Sequence, residues 1–251
     1  MKQMPLAIGL EAEPDFQNFV PGDNGLAAQA MRDLVLPGPP VYLCGPAGSG
    51  KTHLLSALAH QVHAQGGRSG WFDADHALPW TFDEGWSLIL IDGAERLDAA
   101  RQHAAFTLFV EAATHGVQMA SAGRLPPVDL PVREDLRTRF GWGPVFALQP
   151  LGDDGVREVL VREARHRGLA LSTEVLDYLL THFSRELGSL MALLIRLDRF
   201  SLAEGRGLSV PLLKKMLAEE PGQRSQPVTI TAQPDPDPAS LDLFPDETRA
   251  F

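Results

Sequence analysis

The sequence has a single cysteine, no long hydrophobic run and no excess of positive charge, and each absence excludes a class of protein. Because Cys44 has no second cysteine to pair with, no disulfide can form within the chain, and a reducing compartment is expected. No stretch approaches the roughly 18 consecutive apolar residues that cross a membrane. The N-terminus also lacks the pattern of a signal peptide. We therefore predict a cytoplasmic protein with no membrane partner.

Positive charge is scarce relative to negative charge. The chain has 32 acidic and 22 basic residues, which gives a formal net charge of −10. Tight nonspecific binding of nucleic acid needs clustered positive charge. The balance therefore argues against tight nonspecific nucleic-acid binding by the chain as a whole, although a local basic patch and weak DNA contact stay open. Direct sequence-specific DNA binding is not expected either. With 251 residues, 44% of them hydrophobic, the chain can bury one α/β core and a smaller second core.

Short aliphatic runs alternate with helical patterns up to residue 150. The predicted strands are 41–44, 70–73, 88–91, 117–122 and 145–148. Helices are predicted at 51–65 and 98–114, and a shorter one from about residue 25 to Leu36, before a proline-rich turn. This alternation predicts an α/β fold with a parallel five-stranded sheet covered by helices on both faces.

The pattern changes after Pro150, where no further strand is predicted. Four helices are expected at 153–167, 173–183, 186–203 and 210–219, with Asp153, Ser172 and Ser209 as N-caps. Residues 221–251 are rich in proline and acidic residues, which predicts a disordered acidic C-terminal tail. The expected units are an arm at 1–10, an α/β domain at 11–150, a small all-α domain at 151–220 and the tail at 221–251.

Residues 45–52 match the phosphate-binding P-loop pattern G-x-x-x-x-G-K-[ST] without a gap, between a predicted strand and a predicted helix. The pattern assigns phosphate binding to Gly45, Pro46, Ala47, Gly48, Ser49, Gly50, Lys51 and Thr52. Backbone N–H groups and the helix N-terminus would surround the phosphates. Lys51 is expected to reach the β- and γ-phosphates, and the hydroxyl of Thr52 to ligate Mg²⁺. A chance match in a chain of this length is roughly a one-in-a-hundred event.

An acidic residue follows the aliphatic strand at 88–91. Asp92 is expected to orient Mg²⁺ through water, and the alternative is an ordinary turn or helix cap. ATPases of this design often place a glutamate next, where it positions the attacking water. Gly93 stands there instead, and Glu95 lies two residues further along the chain. We therefore predict slow intrinsic hydrolysis.

Four blocks of sequence resemble a known family. The blocks are Phe16-x-x-Phe19-x-x-Gly22-x-Asn24, GKTHLL at 50–55, LRTRFGWG at 136–143 and SRELGSL at 184–190. Together they are similar to the AAA+ module of the bacterial replication initiator DnaA, over about residues 15–219. No helix-turn-helix DNA-binding pattern follows residue 219. The likeness is therefore greatest to the Hda family, the DnaA paralogues that inactivate DnaA, and it implies an AAA+ P-loop NTPase with a small helical lid.

The resemblance implies roles for individual residues. Arg139 would be the arginine finger that reaches the nucleotide of a neighbouring subunit, and the alternative is an ion pair with Glu134 or Asp135. Arg185 would be the second sensor of the bound nucleotide, and the alternative is a salt bridge at the start of a helix.

Other nucleotide contacts follow from the same blocks. Phe19 and Asn24, with Phe16, would frame the adenine, and His53 continues the P-loop block. Ser121 would be the polar first sensor on the fourth strand.

Two segments resemble peptides that bind the replicative sliding clamp. Residues Gln3, Met4, Leu6 and Ile8 are similar to the form Gln-Leu-x-Leu-x-Leu, with Met and Ile in two Leu places. Residues Leu241, Leu243 and Phe244 are similar to the form Gln-Leu-x-Leu-Phe, with a serine replacing the glutamine. Extended peptides of this kind insert apolar anchors into a preformed pocket. The alternatives are a frayed apolar terminus and a tail without a partner.

The resemblance implies a regulator of replication initiation. The protein would bind ADP or ATP with Mg²⁺, attach to the DNA-loaded clamp (the β subunit of DNA polymerase III) and stimulate ATP hydrolysis by DnaA through Arg139. A homo-oligomer stays open. The alternatives are an independent AAA+ ATPase of helicase or clamp-loader type, and a small-molecule P-loop kinase.

Overall fold

The computed structural model describes residues 13–184 and 186–219. Its sheet has five parallel strands: β1 (Val41–Cys44), β2 (Ser69–Phe72), β3 (Leu88–Ile91), β4 (Gln118–Gly123) and β5 (Val145–Ala147). Their order across the sheet is β2–β3–β4–β1–β5, and all neighbours are parallel. The predicted parallel five-stranded sheet is therefore confirmed.

Helices cover both faces of this sheet. They are α1 (Gly25–Arg32), α2 (Lys51–Ala64), α3 (Ala99–His115) and α4 (Glu134–Phe140). Side chains of a strand alternate between faces, so Val41 and Leu43 join the core under α1 and α2. Tyr42 and Cys44 join the core under α3 and α4. The P-loop between β1 and α2 thus lies at the carboxyl edge of a strand that is buried on both faces.

Several helix ends have local causes. The side chain of Asp98 accepts a hydrogen bond from the N–H of Arg101 and so caps α3, which ends at the left-handed Gly116. Helix α1 ends at Arg32, earlier than the predicted Leu36, because the chain turns toward Pro37 and residues that precede proline disfavour the helical conformation. The short helix α4, which contains Arg139, was not predicted.

The residues after Pro150 form a separate helical bundle with its own core. Its helices are α5 (Asp153–His166), α6 (Thr173–His182), α7 (Leu187–Glu204) and α8 (Val210–Glu219). Leucines at positions 160, 179, 194 and 213 are fully buried between these helices. Ser172 caps α6 as expected, whereas the predicted cap Asp153 is wrong, because α5 already begins at that residue.

The bundle is joined to the sheet domain through the backbone of Gln149. Asn24 is 5% exposed, and its Nδ2 donates to the Gln149 carbonyl oxygen at 2.8 Å. The Gln149 N–H donates to Asn24 Oδ1 at 2.7 Å. A buried amide that satisfies both backbone polar groups of one residue fixes the start of α1 against the segment that leads into α5.

Replacing Asn24 with alanine is expected to destabilise the protein by about 1–3 kcal/mol, because it removes both hydrogen bonds that the buried amide makes to the backbone of Gln149. Chemical unfolding in urea measures the change. The exposed Gln29→Ala variant on the same helix is the control, and its change should stay within about 0.5 kcal/mol. A change of that small size for Asn24→Ala would show that the pair with Gln149 does not stabilise the fold.

No helix in the described part of the chain is both long and apolar enough to span a membrane.

Candidate nucleotide-binding site

The P-loop requires glycine at two positions, because the backbone angle and the surrounding space exclude a side chain there. At Gly45 the backbone has a φ of +150°, and a Cβ atom there would lie 2.4 Å from the carbonyl oxygen of Leu148. At Gly50, with a φ of +93°, a Cβ atom would lie 2.7 Å from the ring of Phe19. Only glycine lets the loop turn in this space. The turn delivers the chain directly into α2, whose N-terminus carries a partial positive charge.

The ammonium group of Lys51 is held inside the loop. Its Nζ donates to the carbonyl oxygens of Gly45 and Pro46, each at 2.7 Å. Burial lowers the pKa of Lys51, and the nearby carboxylates of Asp92 and Glu95 oppose part of that shift. A phosphate anion at the loop would supply the negative charge that these neutral carbonyl groups lack.

Thr52 and Asp92, forty residues apart in sequence, are in direct contact. The Thr52 hydroxyl donates to Asp92 Oδ2 at 2.6 Å, and Asp92 Oδ1 accepts the N–H of Gly93 at 2.8 Å. A hydroxyl and a carboxylate are hard oxygen donors of the kind that Mg²⁺ takes, with nucleotide phosphates and water completing its shell. No cluster of three or more His, Cys, Asp or Glu ligands exists among the described residues. The pair therefore fits Mg²⁺ bound together with a nucleotide.

Glu95 is turned toward the end of β4. Gly93 adopts the left-handed conformation with a φ of +67°, and a short 3₁₀ turn at Ala94–Arg96 follows it. The Glu95 carboxylate accepts the backbone N–H of Arg124 at 2.9 Å, and Arg124 Nε lies 3.7 Å away. Glu95 is thus engaged by Arg124, and slow intrinsic hydrolysis stays a prediction.

Ser121 does not face the phosphate site. It is 1% exposed and lies in β4 between Tyr42 of β1 and Ile91 of β3, two residues before the strand ends at Gly123. Its Oγ has no hydrogen-bond partner among the residues that the structure describes. The hydroxyl is enclosed in the core under α3 and α4, and a nucleotide contact by Ser121 stays a prediction. The polar groups beyond this strand are those of Arg124 and Glu95.

A cavity of about 540 Å³ lies between the P-loop and the helical bundle. Gly48, Lys51 and Thr52 line one side. The bundle contributes Val159, Arg162, Glu163 and His166 of α5 and Leu187 and Met191 of α7. Apart from Arg185, sequence reasoning assigned no bundle residue to this site, since no motif marks these residues and they follow the P-loop by more than one hundred positions.

His53 lines this cavity as the sequence block suggested. Its Nε2 lies 2.9 Å from the carbonyl oxygen of Asp15, and a carbonyl can only accept, so Nε2 carries the proton. Burial lowers the pKa of His53 from 6.5, the hydrogen bond to Asp15 opposes part of that shift, and the charge of Arg162 adds to it. His53 is therefore held as a neutral ring beside the P-loop.

The lowered pKa of His53 predicts a pH dependence of stability. The unfolded chain binds a proton at His53 below pH 6.5, whereas the folded chain resists it. The stabilisation is complete above that pH and is lost as the pH falls toward the lowered folded value, by at most about 1.4 kcal/mol per pH unit. Urea unfolding of wild type and His53→Gln at about pH 7.5 and 5.5 should show the smaller loss in the variant. Equal losses would contradict the assignment.

The three residues expected to frame the adenine occupy different surroundings. Phe16 packs in the core under α1 and α2. The ring of Phe19 lies against Gly50 and 5.3 Å from the ring of His53, so it supports the P-loop from behind. Asn24 has its amide engaged by Gln149. A nucleotide contact by Phe19 or Asn24 stays a prediction.

Arg139 lies outside this cavity, at the end of α4. Its guanidinium has no carboxylate partner in residues 13–184 and 186–219, and Asp135 is instead paired with Arg133 at 2.6 Å. The alternative of an ion pair between Arg139 and Glu134 or Asp135 is therefore not observed.

Several predicted site residues lie outside the described residues. They are Arg185, the clamp-peptide residues Gln3, Met4, Leu6 and Ile8, and the tail residues Leu241, Leu243 and Phe244.

One family model and several solved structures are similar to this chain. Residues 153–217 match the family model described as Hda, lid domain. The fold is similar to domain III of the replication initiation protein DnaA from Thermotoga maritima, with a TM-score of 0.68 and 20% identity, over 82% of this chain and 95% of that one. Aquifex aeolicus DnaA with bound AMPPCP gives a TM-score of 0.62 and 22% identity, over 82% and 70% of the two chains.

A more distant likeness is to the Thermotoga maritima RuvB Holliday junction branch migration motor, with a TM-score of 0.56 and 16% identity, over 77% of this chain and 65% of that chain. Identities this low establish the fold alone. They confirm the predicted fold, a parallel α/β domain followed by a helical bundle, and the match of residues 153–217 to the Hda lid model supports the resemblance to that family over this part of the chain.

Proposed function

We propose that this chain, as a member of the Hda family of DnaA-like AAA+ proteins, regulates replication initiation by stimulating ATP hydrolysis in DnaA. The observation that carries the proposal is the position of Arg139. This arginine lies outside the chain's own nucleotide cavity and has no carboxylate partner among the described residues. A half-buried guanidinium without a carboxylate partner among the described residues, outside the chain's own P-loop cavity, fits a subunit that acts on its neighbour's nucleotide.

The chain's own site is proposed to bind ADP or ATP. Gly48, Gly50 and the α2 N-terminus would surround the phosphates, and Lys51 would exchange its two carbonyl contacts for a charge-assisted hydrogen bond to phosphate. Thr52 and Asp92 would hold Mg²⁺, which supplies charge neutralisation when it is bound. The bundle residues Arg162 and His166 would face the nucleoside end of the cavity.

The action on DnaA would use the face of the sheet domain that α3 and α4 cover, where Arg139 lies. The two proteins would pack in the head-to-tail manner of AAA+ subunits, with Arg139 entering the DnaA site. A guanidinium there stabilises the charge that develops on the transferred phosphoryl group. The proposal also assigns attachment to the DNA-loaded sliding clamp to Gln3, Met4, Leu6 and Ile8, with the tail residues Leu241, Leu243 and Phe244 as a second attachment that would raise avidity.

The test is the rate of ATP hydrolysis by DnaA with DNA-loaded clamp, measured with and without this protein. Stimulation that also requires the clamp is the expected result. Absence of stimulation, with the protein shown to bind ADP or ATP, would contradict the proposed role in DnaA inactivation. Rapid hydrolysis by the chain alone would instead favour an independent ATPase.

A further inference from the structure

The guanidinium of Arg139 contacts two aromatic rings. Its central carbon lies 4.6 Å from the ring centre of Phe106 on α3 and 4.7 Å from the ring centre of Trp142, three residues further along the chain. Both distances are within the range in which a cation is attracted to the face of an aromatic ring. Arg139 therefore has two defined contacts although no carboxylate among the described residues pairs with it.

Both rings are themselves held in place. Phe106 packs against the core between α3 and α4, next to the contact of Phe109 with Phe140 at 5.4 Å. The Trp142 N–H donates to the Arg139 carbonyl oxygen at 3.3 Å. Gly143 lies so close to Pro40 that a Cβ atom there would be 2.0 Å from its carbonyl oxygen, which fixes the chain just beyond Trp142.

A second arginine near Phe106, Arg133, forms an ion pair and is therefore less suited to bind a phosphate of another molecule. The Arg133 guanidinium lies 5.6 Å from the Phe106 ring centre, but its Nη2 is 2.6 Å from Asp135 Oδ2. Asp135 neutralises Arg133, while Arg139 keeps its full charge. Only Arg139 of the two is therefore suited to bind a phosphate of another molecule.

The two rings that contact Arg139 differ in exposure to solvent. Trp142 is 56% exposed, whereas Phe106 is half-buried. An arginine side chain free in solvent samples many rotamers, and ordering it on binding opposes association. The two rings restrict the side chain, and no carboxylate among the described residues occupies its N–H donors.

We propose that Phe106 and Trp142 are positioning residues that hold Arg139 in the orientation it needs to reach a nucleotide in a neighbouring subunit. The inference rests on the proposed trans role of Arg139 and adds the residues through which that role is prepared. Phe106 touches no substrate itself.

The functional test is a double-mutant cycle on stimulated DnaA hydrolysis. Phe106→Leu and Trp142→Leu should each lower the maximal stimulated rate by about 10- to 100-fold, because a misplaced group loses most of its effect. The concentration for half-maximal stimulation should change far less. Trp142→Phe keeps an aromatic face and should retain most of the rate.

The cycle separates positioning from a merely structural role. In an Arg139→Lys background, which keeps a cation and some stimulation but lacks the planar guanidinium, Phe106→Leu should cause a much smaller further loss, since it acts through the missing guanidinium. Additive losses, or equal losses for Trp142→Phe and Trp142→Leu, would overturn the proposal. Thermal unfolding identifies variants that fail to fold, and the exposed Trp142 keeps the test decisive if Phe106→Leu is unstable.

A measurement on the free protein tests the ring contacts independently of DnaA. The Nε–H signal of Arg139 in a ¹H–¹⁵N NMR spectrum, assigned by its loss in Arg139→Ala, should be displaced by the ring currents of Phe106 and Trp142. It should return toward the position of a solvated arginine in Trp142→Leu. A solvated position in wild type would overturn the inference. A displaced signal without DnaA stimulation would instead contradict the proposed function alone.

Discussion

Replacing Arg139 with alanine is expected to abolish the stimulation of DnaA hydrolysis, a loss of about 10³- to 10⁵-fold at the largest. The physical reason is that the substitution removes the cation proposed to stabilise charge on the transferred phosphoryl group. Fold stability should change little, because the guanidinium has no carboxylate partner among the described residues and the substitution therefore breaks no ion pair there. Phosphate release from DnaA under single-turnover conditions measures the effect.

The matched control is Arg157→Ala, which removes an exposed arginine of the bundle that is paired with Asp177 at 2.6 Å. An exposed pair of this kind contributes little to stability, so stimulation should stay at the wild-type level. Retained stimulation in Arg139→Ala would assign the activation to another group, and the neighbouring Arg137 would then be the residue to replace.

Replacing Lys51 with alanine is expected to weaken nucleotide binding about 100-fold or more, because a charge-assisted hydrogen bond inside a partly buried loop is lost. Titration calorimetry with ADP and Mg²⁺ measures the affinity. Wild type should also unfold at a higher temperature when ADP is added, since a ligand that binds only the folded state stabilises it. The variant should show almost no such shift.

The control for this prediction is Lys214→Ala, a lysine on the bundle that contacts the ring of Tyr178 at 5.3 Å. It should bind ADP as wild type does. Equal affinities of Lys51→Ala and wild type would contradict the phosphate assignment of residues 45–52. If Lys51→Ala lost ADP binding but still stimulated DnaA as wild type does, the action of Arg139 would not depend on the chain's own nucleotide site.

The phosphate loop could be predicted because its information is contiguous. Glycines, lysine and threonine follow one another in eight residues, and the required strand and helix lie directly on either side. The contact partner Asp92 was found for a related reason, since a four-residue aliphatic run marks a buried parallel strand and the polar residue after it must lie at the carboxyl edge.

Ser121 shows what this reasoning leaves open. Strand periodicity identifies which residues share a face, but it does not give the register against neighbouring strands or the residue at which a strand ends. The fourth strand continues to Gly123, so Ser121 lies two positions below the edge. Asn24 is a similar case, because its amide is engaged by Gln149, which is 125 residues away in sequence.

The sequence by itself determined the parallel α/β domain, the helical bundle after Pro150, the P-loop and the acidic group at Asp92. These features depend on apolar periodicity and on residues within one turn or strand, where local conformational preference acts directly. Only the tertiary structure decided that Thr52 meets Asp92 and that α5 and α7 close the cavity. It also decided that Arg139 lies between Phe106 and Trp142. Such contacts join residues far apart in sequence, or rings whose direction is set by the core beneath them, and their energies come from packing that no local pattern encodes.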